Sequence, residues 1–205
     1  MKFYSFCKKC VSSLVLRLFR VRIINPENEP HGKNFLVCSN HLSNMDPVLI
    51  SICLDNQIRY MAKAELFKIP VLSSLIKKFG AFPVYRNGSD VAAIKKTISI
   101  LKGGDCVGIF PQGKRVKGME PDSVEIKAGT GLCAMHAQCD ILPVAIFTKE
   151  YKIKMFRPVY VIIGKPIPFE TFSDTTLNYA GFDKLSKEIF SKICNLINEN
   201  KEKFK

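Results

Sequence analysis

The segment FLVCSNHLSNMDP, residues 35–47, passes from an apolar run into a short polar turn and ends at a proline. Its apolar part, Phe35–Ser39, has the length and composition of a buried strand. Pro47 favours the first turn of a following helix, because proline lacks the N–H group that such a position leaves unpaired. The segment therefore predicts a strand, a turn and a helix in that order, which is the repeating unit of an α/β fold.

The rest of the chain repeats this pattern of short apolar runs followed by helical stretches. Predicted strands cover Phe35–Ser39, Arg59–Ala62, Ala81–Val84, Cys106–Phe110, Ile141–Phe147 and Val159–Ile163. Predicted helices cover Pro47–Leu54, Glu65–Phe79, Ser89–Lys102, Thr130–Gln138 and Phe182–Asn200. Strands that alternate with helices indicate a layered α/β domain whose mixed, largely parallel sheet is flanked by helices. In such folds, binding sites collect beyond the carboxyl ends of the strands.

Composition favours one domain of ordinary size and points to an anionic partner. Of the 205 residues, 47% are apolar and 24% are charged, which is enough apolar material for one core. Lysine and arginine number 31 and aspartate and glutamate 18, so the formal net charge is +13. Such a surplus suits nucleic acid, an anionic membrane surface or a phosphorylated substrate. No apolar window is long enough for a spanning helix, so we exclude a multi-span membrane protein.

Residues 1–22 are predicted to form a basic amphipathic helix that precedes the main domain, residues 23–205. They carry six positive charges and no acidic residue. Apolar residues recur every three to four positions, which predicts one helical stripe formed by Phe3, Cys7, Cys10, Leu14 and Leu18. A helix of this kind binds in the interface of an anionic membrane. The alternative is a surface helix that packs on the domain.

Eight cysteines raise the question of disulfides and metal sites. We expect no cleavable signal peptide before them, and most of the cysteines lie within apolar runs. Those runs contain Cys38, Cys53, Cys106 and Cys133. We therefore expect reduced core residues in a cytosolic protein. Cys7 and Cys10 form a C-x-x-C pair without a second pair at zinc spacing, so no metal site is predicted.

The sequence contains three histidines, and each of them is a candidate catalytic base. His31 lies in a Pro-His-Gly turn and His136 within an apolar helix, so both are expected to be surface or packing residues. His41 follows the strand directly, and Asp46 comes five residues later. On a continuous helix these two side chains would point apart, so they can meet only across a turn. Pro47 supports a turn with Asp46 as the helix N-cap, and the pair then suits a base and its orienting carboxylate.

Two further strand ends lead into basic loops. One strand ends GAFPVYR at Arg86, and another leads into FPQGKR with Lys114 and Arg115. Arginine suits a phosphate group, because its planar guanidinium donates two parallel hydrogen bonds. A fourth segment, residues 127–131 (KAGTG), opens a helix whose free amide groups can face an anion. One histidine and two arginine loops at strand ends together favour a phosphate-bearing substrate.

The motifs NHLSNMD, GAFPVYR, FPQGKR and LPV, in this order and spacing, resemble those of the bacterial 1-acyl-sn-glycerol-3-phosphate acyltransferases of the glycerolipid acyltransferase family. The resemblance extends over about residues 20–170 and includes residues 61–67 (MAKAELF) and 127–129 (KAG). It implies transfer of a fatty acyl group from acyl-CoA or acyl-carrier protein to the sn-2 hydroxyl of 1-acyl-sn-glycerol-3-phosphate (lysophosphatidate). The product would be phosphatidic acid for phospholipid biosynthesis, and no cofactor or metal is implied.

The resemblance also implies roles for individual residues. In the H-x4-D motif of the family the histidine is the general base and the aspartate its partner, which here are His41 and Asp46. The substrate phosphate is implied to bind Arg86, Arg115, Gly113 and Lys114. A possible acceptor or oxyanion site is implied at Gln112, Gly129 and Pro143.

Two departures from the family pattern bear on function. The third motif more commonly reads Phe-Pro-Glu-Gly-Thr-Arg, whereas this chain has Gln112 and Lys114. The loop therefore loses a negative charge and gains a positive one. This change in charge favours an anionic acceptor or donor. It also places in question any role that requires a glutamate at position 112. The single N-terminal helix is also short beside the membrane-anchoring segments of relatives.

Sequence alone leaves three alternatives. The same fold can act on another lysophospholipid or lyso-lipid acceptor. A non-enzymatic membrane-surface protein explains the basic helix, although not the placement of His41, Arg86 and Arg115 at strand ends. Nucleic-acid binding explains the charge, but the sequence has no groove-reading motif, no aromatic-rich platform and no tryptophan, so we expect no nucleic-acid partner. We expect a peripheral or monotopic enzyme on the cytoplasmic face of the cell membrane.

Overall fold

The structure, a computed structural model, describes residues 12–84 and 90–204. Within these residues the strands are β1 (Val21–Ile24), β2 (Phe35–Ser39), β3 (Ile58–Lys63), β4 (Phe82–Val84), β5 (Cys106–Ile109), β6 (Asp140–Phe147) and β7 (Val159–Ile163). The longer helices are α1 (Asp46–Cys53), α2 (Pro70–Lys78), α3 (Asp90–Lys102), α4 (Gly129–Ala137) and α5 (Tyr179–Asn200). Residues 12–18 are also helical.

The strands form one sheet in the order β1-β7-β6-β2-β5-β3-β4. Neighbouring strands run parallel except β6 and β7, which are antiparallel. The mixed, largely parallel α/β sheet predicted from the sequence is thereby confirmed. Strands β2 to β6 all point the same way, so their carboxyl ends lie along one edge of the sheet, the carboxyl edge. Because β7 runs in the opposite direction and β1 is parallel to it, both of these strands begin at the carboxyl edge.

Strand β2 lies at the centre of the sheet and is buried on both faces. All five of its residues are buried, as expected for the interior of a parallel sheet. Leu36 and Cys38 face the apolar cluster to which α4 and α5 contribute. Phe35 and Val37 face a second cluster, which contains residues of α1 and the N-terminal Val15. One five-residue strand therefore contacts both helical layers, because successive side chains point to opposite faces.

Predicted and observed strand boundaries agree to within one residue, and the differences elsewhere have local causes. Strand β1 is not predicted from the sequence, because four residues with an arginine inside them give little periodic signal. The helix predicted for residues 65–79 is divided at Pro70 into a 3-10 turn, Ala64–Lys68, and α2. The last helix begins at Tyr179, since the Asn178 side chain accepts a hydrogen bond from the Gly181 N–H at 2.8 Å and caps the helix there.

The N-terminal helix, described from residue 12, packs on the domain through one face. Val15 is buried in the core and Phe19 packs against it, whereas Leu14 is 61% exposed. The predicted apolar stripe therefore points away from the domain at Leu14. Its members Phe3, Cys7 and Cys10 lie outside the described residues. The last two residues of the segment 1–22 belong to β1.

Within residues 12–84 and 90–204, every helix is too short or too polar to cross a lipid bilayer. The six cysteines in this part of the chain carry free thiols, and five of them are buried. Burial raises the pKa of Cys133 and of Cys139 to about 12, because a thiolate is poorly stabilised in an apolar environment. These residues are therefore core side chains, as the sequence analysis expects.

Gly131 in α4 should not tolerate a side chain. A Cβ atom at this position would lie 2.3 Å from the carbonyl oxygen of Phe182 in α5. We expect Gly131→Ala to lower the free energy of unfolding by about 1–3 kcal/mol, as overpacking does in other cores. Urea denaturation measures this. Gly129→Ala is the matched control, because its Cβ would meet only the Ile94 Cδ1 atom, at 3.8 Å. Equal stability of the two variants would contradict the packing of α4 against α5.

Candidate active site

Two loops and a helix start meet at the carboxyl edge. Loop L1, residues 40–45, follows β2; loop L2, residues 110–120, follows β5; and residues 127–128 lead into α4. L1 and L2 leave the sheet side by side, because β2 and β5 are paired. The Val116 N–H donates to the His41 carbonyl at 2.7 Å, and the Lys127 N–H donates to the Pro111 carbonyl at 3.0 Å. These backbone bonds join the three segments into one site.

His41 and Asp46 form a direct pair. The His41 Nδ1 atom lies 2.6 Å from the Asp46 Oδ2 atom. The same oxygen accepts hydrogen bonds from the Leu42 N–H at 2.6 Å and from the Ser43 N–H at 2.7 Å. The Asp46 side chain is fully buried, and the His41 side chain is 18% exposed. Asp46 thus holds the ring at its Nδ1 side, and Nε2 is the nitrogen that can face a substrate.

The pair can form because L1 folds into a tight turn before α1. The Asp46 N–H donates to the Ser43 carbonyl at 3.2 Å, which closes the turn. The prediction that Asp46 is the N-cap of α1 is wrong. The N-cap is Met45, and Asp46 is the first helical residue. Its carboxylate accepts from N–H groups of the preceding turn and not from those of the helix, and this orientation aims it at His41.

The main chain of His41 is held from both sides. Its N–H donates to the Gln112 Oε1 atom at 2.7 Å, and its carbonyl accepts from the Val116 N–H. The preceding residue, Asn40, is buried and makes two hydrogen bonds to Ile146 of β6. The Asn40 Nδ2 atom donates to the Ile146 carbonyl at 2.9 Å, and Asn40 Oδ1 accepts from the Ile146 N–H at 2.8 Å. A side-chain amide presents the same donor and acceptor as a peptide group. Asn40 therefore extends the β2–β6 pairing up to His41.

The His41 ring also stacks on Phe110, the first residue after β5. The two ring centroids are 4.0 Å apart and the planes differ by 15°. Tyr60 of β3 lies next to Phe110, with ring centroids 5.8 Å apart. Stacking covers one face of the imidazole and restricts its rotation, so the ring has one preferred orientation.

Gln112 supports the histidine and does not face the site. Gln112 is 2% exposed, and its Nε2 atom donates to the Pro121 carbonyl at 2.9 Å while its Oε1 atom accepts from the His41 N–H. Both ends of the amide are engaged, so Gln112 positions the main chain of His41. The acceptor or oxyanion role that the resemblance implies stays a prediction. A glutamate here can accept from His41 but has no proton for Pro121.

Gly113 forms the sharp turn of L2. Its φ angle is +64°, and its N–H donates to the Phe110 carbonyl at 2.9 Å. A Cβ atom here would lie 2.9 Å from the Lys127 Cδ atom, so glycine lets the lysine side chain cross the loop. The N–H group is engaged within L2 and is therefore a poor candidate for an oxyanion donor.

Positive side chains collect around this turn. Arg115 is exposed, and its Nη1 atom donates to the Asn44 Oδ1 atom of L1 at 2.9 Å. Lys114 is exposed beside it. From the sequence, Lys127 is only part of a segment that opens a helix. In the structure, the Lys127 side chain lies against Gly113 of L2 and so belongs to the same group of cations. Arg86 lies outside the described residues, and its implied role stays a prediction.

The remaining candidates lie in different places. Gly129 is the first residue of α4 and follows the segment bonded to L2, so it lies near the site. Pro143 pairs with Cys38 inside the sheet, and its carbonyl accepts from the Gly164 N–H at 2.8 Å. Pro143 is buried one strand position below Ser39 and does not reach the carboxyl edge. It shapes the sheet beneath the site.

The other two histidines lie away from this edge. His31 precedes β2, and His136 lies in the last turn of α4, where its ring centroid is 5.7 Å from that of Phe182. Across the described ranges, no three histidine, cysteine, aspartate or glutamate side chains are grouped as metal ligands.

Comparison with known proteins gives similar sequences and a similar fold. A family model described as acyltransferase matches residues 20–147. The chain is 32% identical over 167 residues to the 1-acyl-sn-glycerol-3-phosphate acyltransferase of Bacillus subtilis, and the match covers 80% of this chain and 82% of that protein. It is 30% identical to a protein of the same name from Borreliella burgdorferi, over 72% of this chain and 60% of that protein. The crystal structure of the 1-acyl-sn-glycerophosphate (LPA) acyltransferase PlsC from Thermotoga maritima superposes with a TM-score of 0.72 at 24% identity, covering 98% of this chain and 79% of that one.

Replacing Gln112 with glutamate should weaken the fold around L2, because a carboxylate cannot donate to the Pro121 carbonyl. We expect Gln112→Glu to lower the free energy of unfolding at neutral pH by about 1–3 kcal/mol, the usual penalty for a buried group without its partner. Urea denaturation measures it. Lys114→Thr, the other departure from the family motif, is the control, because an exposed substitution should change stability by less than about 0.5 kcal/mol. A Gln112→Glu variant as stable as the wild type would contradict the role of the amide.

Proposed function

The chain belongs to the acyltransferase family, and on that premise we propose that it transfers a fatty acyl group from an acyl thioester to the sn-2 hydroxyl of 1-acyl-sn-glycerol-3-phosphate, with phosphatidic acid as the product. The observation that carries the proposal is the pair of His41 with the buried Asp46 carboxylate, at 2.6 Å. The choice of acceptor is supported by the names of the relatives from Bacillus subtilis and Borreliella burgdorferi.

In the proposed reaction, the neutral His41 ring acts as the general base. A carboxylate only accepts hydrogen bonds, so the contact with Asp46 assigns the ring proton to Nδ1 and leaves a lone pair on Nε2. Nε2 takes the proton of the acceptor hydroxyl while the hydroxyl oxygen attacks the thioester carbonyl carbon. The imidazolium that forms lies against Asp46, which stabilises its charge. Collapse of the tetrahedral intermediate breaks the C–S bond, and the proton passes from Nε2 to the leaving thiolate.

The negative oxygen of the intermediate requires N–H donors near His41. The N–H of Gly113 is engaged by Phe110, and the amide of Gln112 is buried. The Gly129 and Thr130 N–H groups at the start of α4 are the candidates at this edge, because first-turn amides have no acceptor within their own helix. The Gly131 N–H already donates to the Ser186 Oγ atom at 2.8 Å. The reaction as proposed uses the acyl donor, acyl-CoA or acyl-carrier protein, and no further cofactor.

The acceptor phosphate is proposed to bind the cations around L2. Lys114 and Arg115 lie at the turn of L2, and residues 110–119 contain no acidic residue. Asn44 orients Arg115 by accepting a hydrogen bond at 2.9 Å, and Lys127 crosses the same loop. A phosphate monoester carries more negative charge than the diester of lysophosphatidylcholine, so this group of cations favours lysophosphatidate. The predicted contribution of Arg86 would add to it.

We further propose that the enzyme works peripherally at the cytoplasmic face of the cell membrane, where a lipid acceptor and a soluble acyl donor can both reach the site. Six cations without an acidic residue in the first 22 residues support attraction to anionic lipids. Membrane association of this kind is expected to weaken as salt is added, because salt screens the charges of exposed side chains.

His41→Ala should remove activity without unfolding the protein. A positioned base contributes about 10²–10⁴ to the rate, so we expect kcat for acyl transfer to lysophosphatidate to fall by about that factor. Asp46→Asn should also lower kcat, since it removes the charge that stabilises the imidazolium. His136→Ala is the control, because that exposed histidine lies away from the site. A folded His41→Ala variant with near-wild-type transfer would show that His41 is not the base.

Arg115→Ala should weaken binding of the phosphate-bearing acceptor. Loss of a charge-assisted hydrogen bond is expected to raise KM for lysophosphatidate by about 10-fold to 100-fold. The same variant should change KM for lysophosphatidylcholine much less, and Lys117→Ala, an exposed cation of the same loop, serves as the control. Steady-state assays with both acceptors measure this. An equal effect on the two acceptors would argue against a phosphate contact by Arg115.

A further inference from the structure

Exposed apolar side chains are concentrated at the carboxyl edge. Among the described residues, ten large apolar side chains are more than a third exposed. Seven of the ten lie in segments that precede or follow a strand at the carboxyl edge: Leu14, Leu66, Ile69, Val91, Met119, Met155 and Phe156. Most of the exposed large apolar side chains among the described residues therefore lie at the edge of the sheet that carries His41.

Two of these segments are joined by a backbone hydrogen bond. Loop L3, residues 148–158, connects β6 to β7, and residues 12–20 precede β1. The Phe156 N–H donates to the Leu18 carbonyl at 2.6 Å and so joins the two segments. Met155 is 59% exposed and Phe156 67%, and Leu14, one helical turn before Leu18, is 61% exposed. Leu14, Met155 and Phe156 are named the docking patch.

The segments that carry the docking patch are firmly attached to the domain. Val15 and Phe19 on the helix, and Tyr151 and Ile153 on L3, all pack against the same apolar cluster. The Tyr151 carbonyl also accepts from the Gly118 N–H at 3.0 Å, which ties L3 to L2. Each segment thus turns one set of apolar side chains inward and holds a second set in solvent.

The charge around the docking patch has mainly one sign. Residues 12–20 and 149–157 contain one acidic residue, Glu150, which lies 3.7 Å from Arg157 and 4.0 Å from Lys154. The same segments contain six cations: Arg17, Arg20, Lys149, Lys152, Lys154 and Arg157. Apolar side chains surrounded by cations match the interface of an anionic bilayer, where acyl chains accept the apolar groups and lipid phosphates attract the cations.

We propose that the docking patch inserts into the interface of an anionic phospholipid bilayer and holds the carboxyl edge against it. The inference rests on the proposed function, because a lysophosphatidate acceptor reaches His41 from the membrane. It adds L3, more than a hundred residues away in sequence, to the membrane contact predicted for the N-terminal segment. The bilayer then meets the protein at the end of the sheet where L1 and L2 hold the catalytic pair.

A fluorescence experiment tests the insertion directly. The chain contains no tryptophan, so Phe156→Trp places a single reporter in the docking patch. With vesicles of phosphatidylglycerol and phosphatidylcholine that carry brominated acyl chains, we expect a blue-shifted and quenched emission. Leu177→Trp is the matched control, since Leu177 is also 67% exposed but lies beside Lys102 and Gln138, which precede strands at the opposite edge. Equal quenching of both variants, or no quenching of Phe156→Trp on vesicles that bind the protein, would overturn the proposal.

A second experiment links insertion to turnover. The double variant Met155→Ser/Phe156→Ser should bind these vesicles about tenfold more weakly or worse, because it loses apolar area that enters the bilayer. It should also transfer acyl groups more slowly to lysophosphatidate in vesicles, yet at the wild-type rate to a water-soluble short-chain lysophosphatidate. Leu177→Ser should change neither rate, and an unchanged thermal melting curve checks that each variant is folded.

The two proposals fail in different ways. A wild-type protein that does not acylate lysophosphatidate in either form contradicts the proposed function, while the bromolipid quenching still decides where the membrane binds. Wild-type vesicle affinity in the double variant would overturn the docking patch. A concentration-dependent dimer that the double variant abolishes, with vesicle binding unchanged, would overturn it as well and would assign the patch to a second copy of the chain.

Discussion

One oxygen atom, Oδ2 of Asp46, holds together the part of the molecule on which the proposed chemistry depends. It lies 2.6 Å from the His41 Nδ1 atom and accepts hydrogen bonds from the Leu42 and Ser43 N–H groups at 2.6 and 2.7 Å, in a fully buried position. A carboxylate removed from water requires such partners, because its charge is otherwise unsolvated. The same requirement therefore fixes the turn of L1 and the orientation of the imidazole.

Hydrogen bonds from the sheet and from the neighbouring loops also hold His41 in position. Asn40 extends the pairing of β2 with β6, and Gln112 and Val116 hold the main chain of His41 from L2. Phe110 limits rotation of the ring. Three strands of a central, largely parallel sheet thus contribute to the position of one histidine. The cations of L2 are attached to the same frame, because Arg115 bonds to Asn44 of L1. A phosphate held there would lie at a fixed place relative to the base.

Much of this arrangement can be predicted from the sequence, and the parts that cannot be predicted have two causes: one strand is very short, and some contacts join segments distant in sequence. Strand β2 can be predicted because its five buried residues form a nearly continuous apolar run. The contact of His41 with Asp46 across a turn can be predicted from their spacing and from Pro47. Strand β1 gives no such signal, since it is a four-residue edge strand.

The positioning role of Gln112 and the place of Lys127 depend on contacts between segments distant in sequence. The His41–Gln112 bond spans 71 residues. Local periodicity and capping patterns contain no information about such contacts. For the same reason the sequence alone does not associate L3 with the N-terminal helix, although the patch they form lies at the edge that carries the catalytic pair.

The most direct test of the central claim is the tautomer of His41, measured from its ring ¹⁵N chemical shifts. The chain has only three histidines, so the His41 signals are assigned by their loss in His41→Ala. At a pH where the ring is neutral, we expect the proton on Nδ1 and an unprotonated Nε2, and we expect Asp46→Asn to disturb this preference. A neutral ring that carries its proton on Nε2 would contradict the pairing with Asp46 and the assignment of His41 as the base.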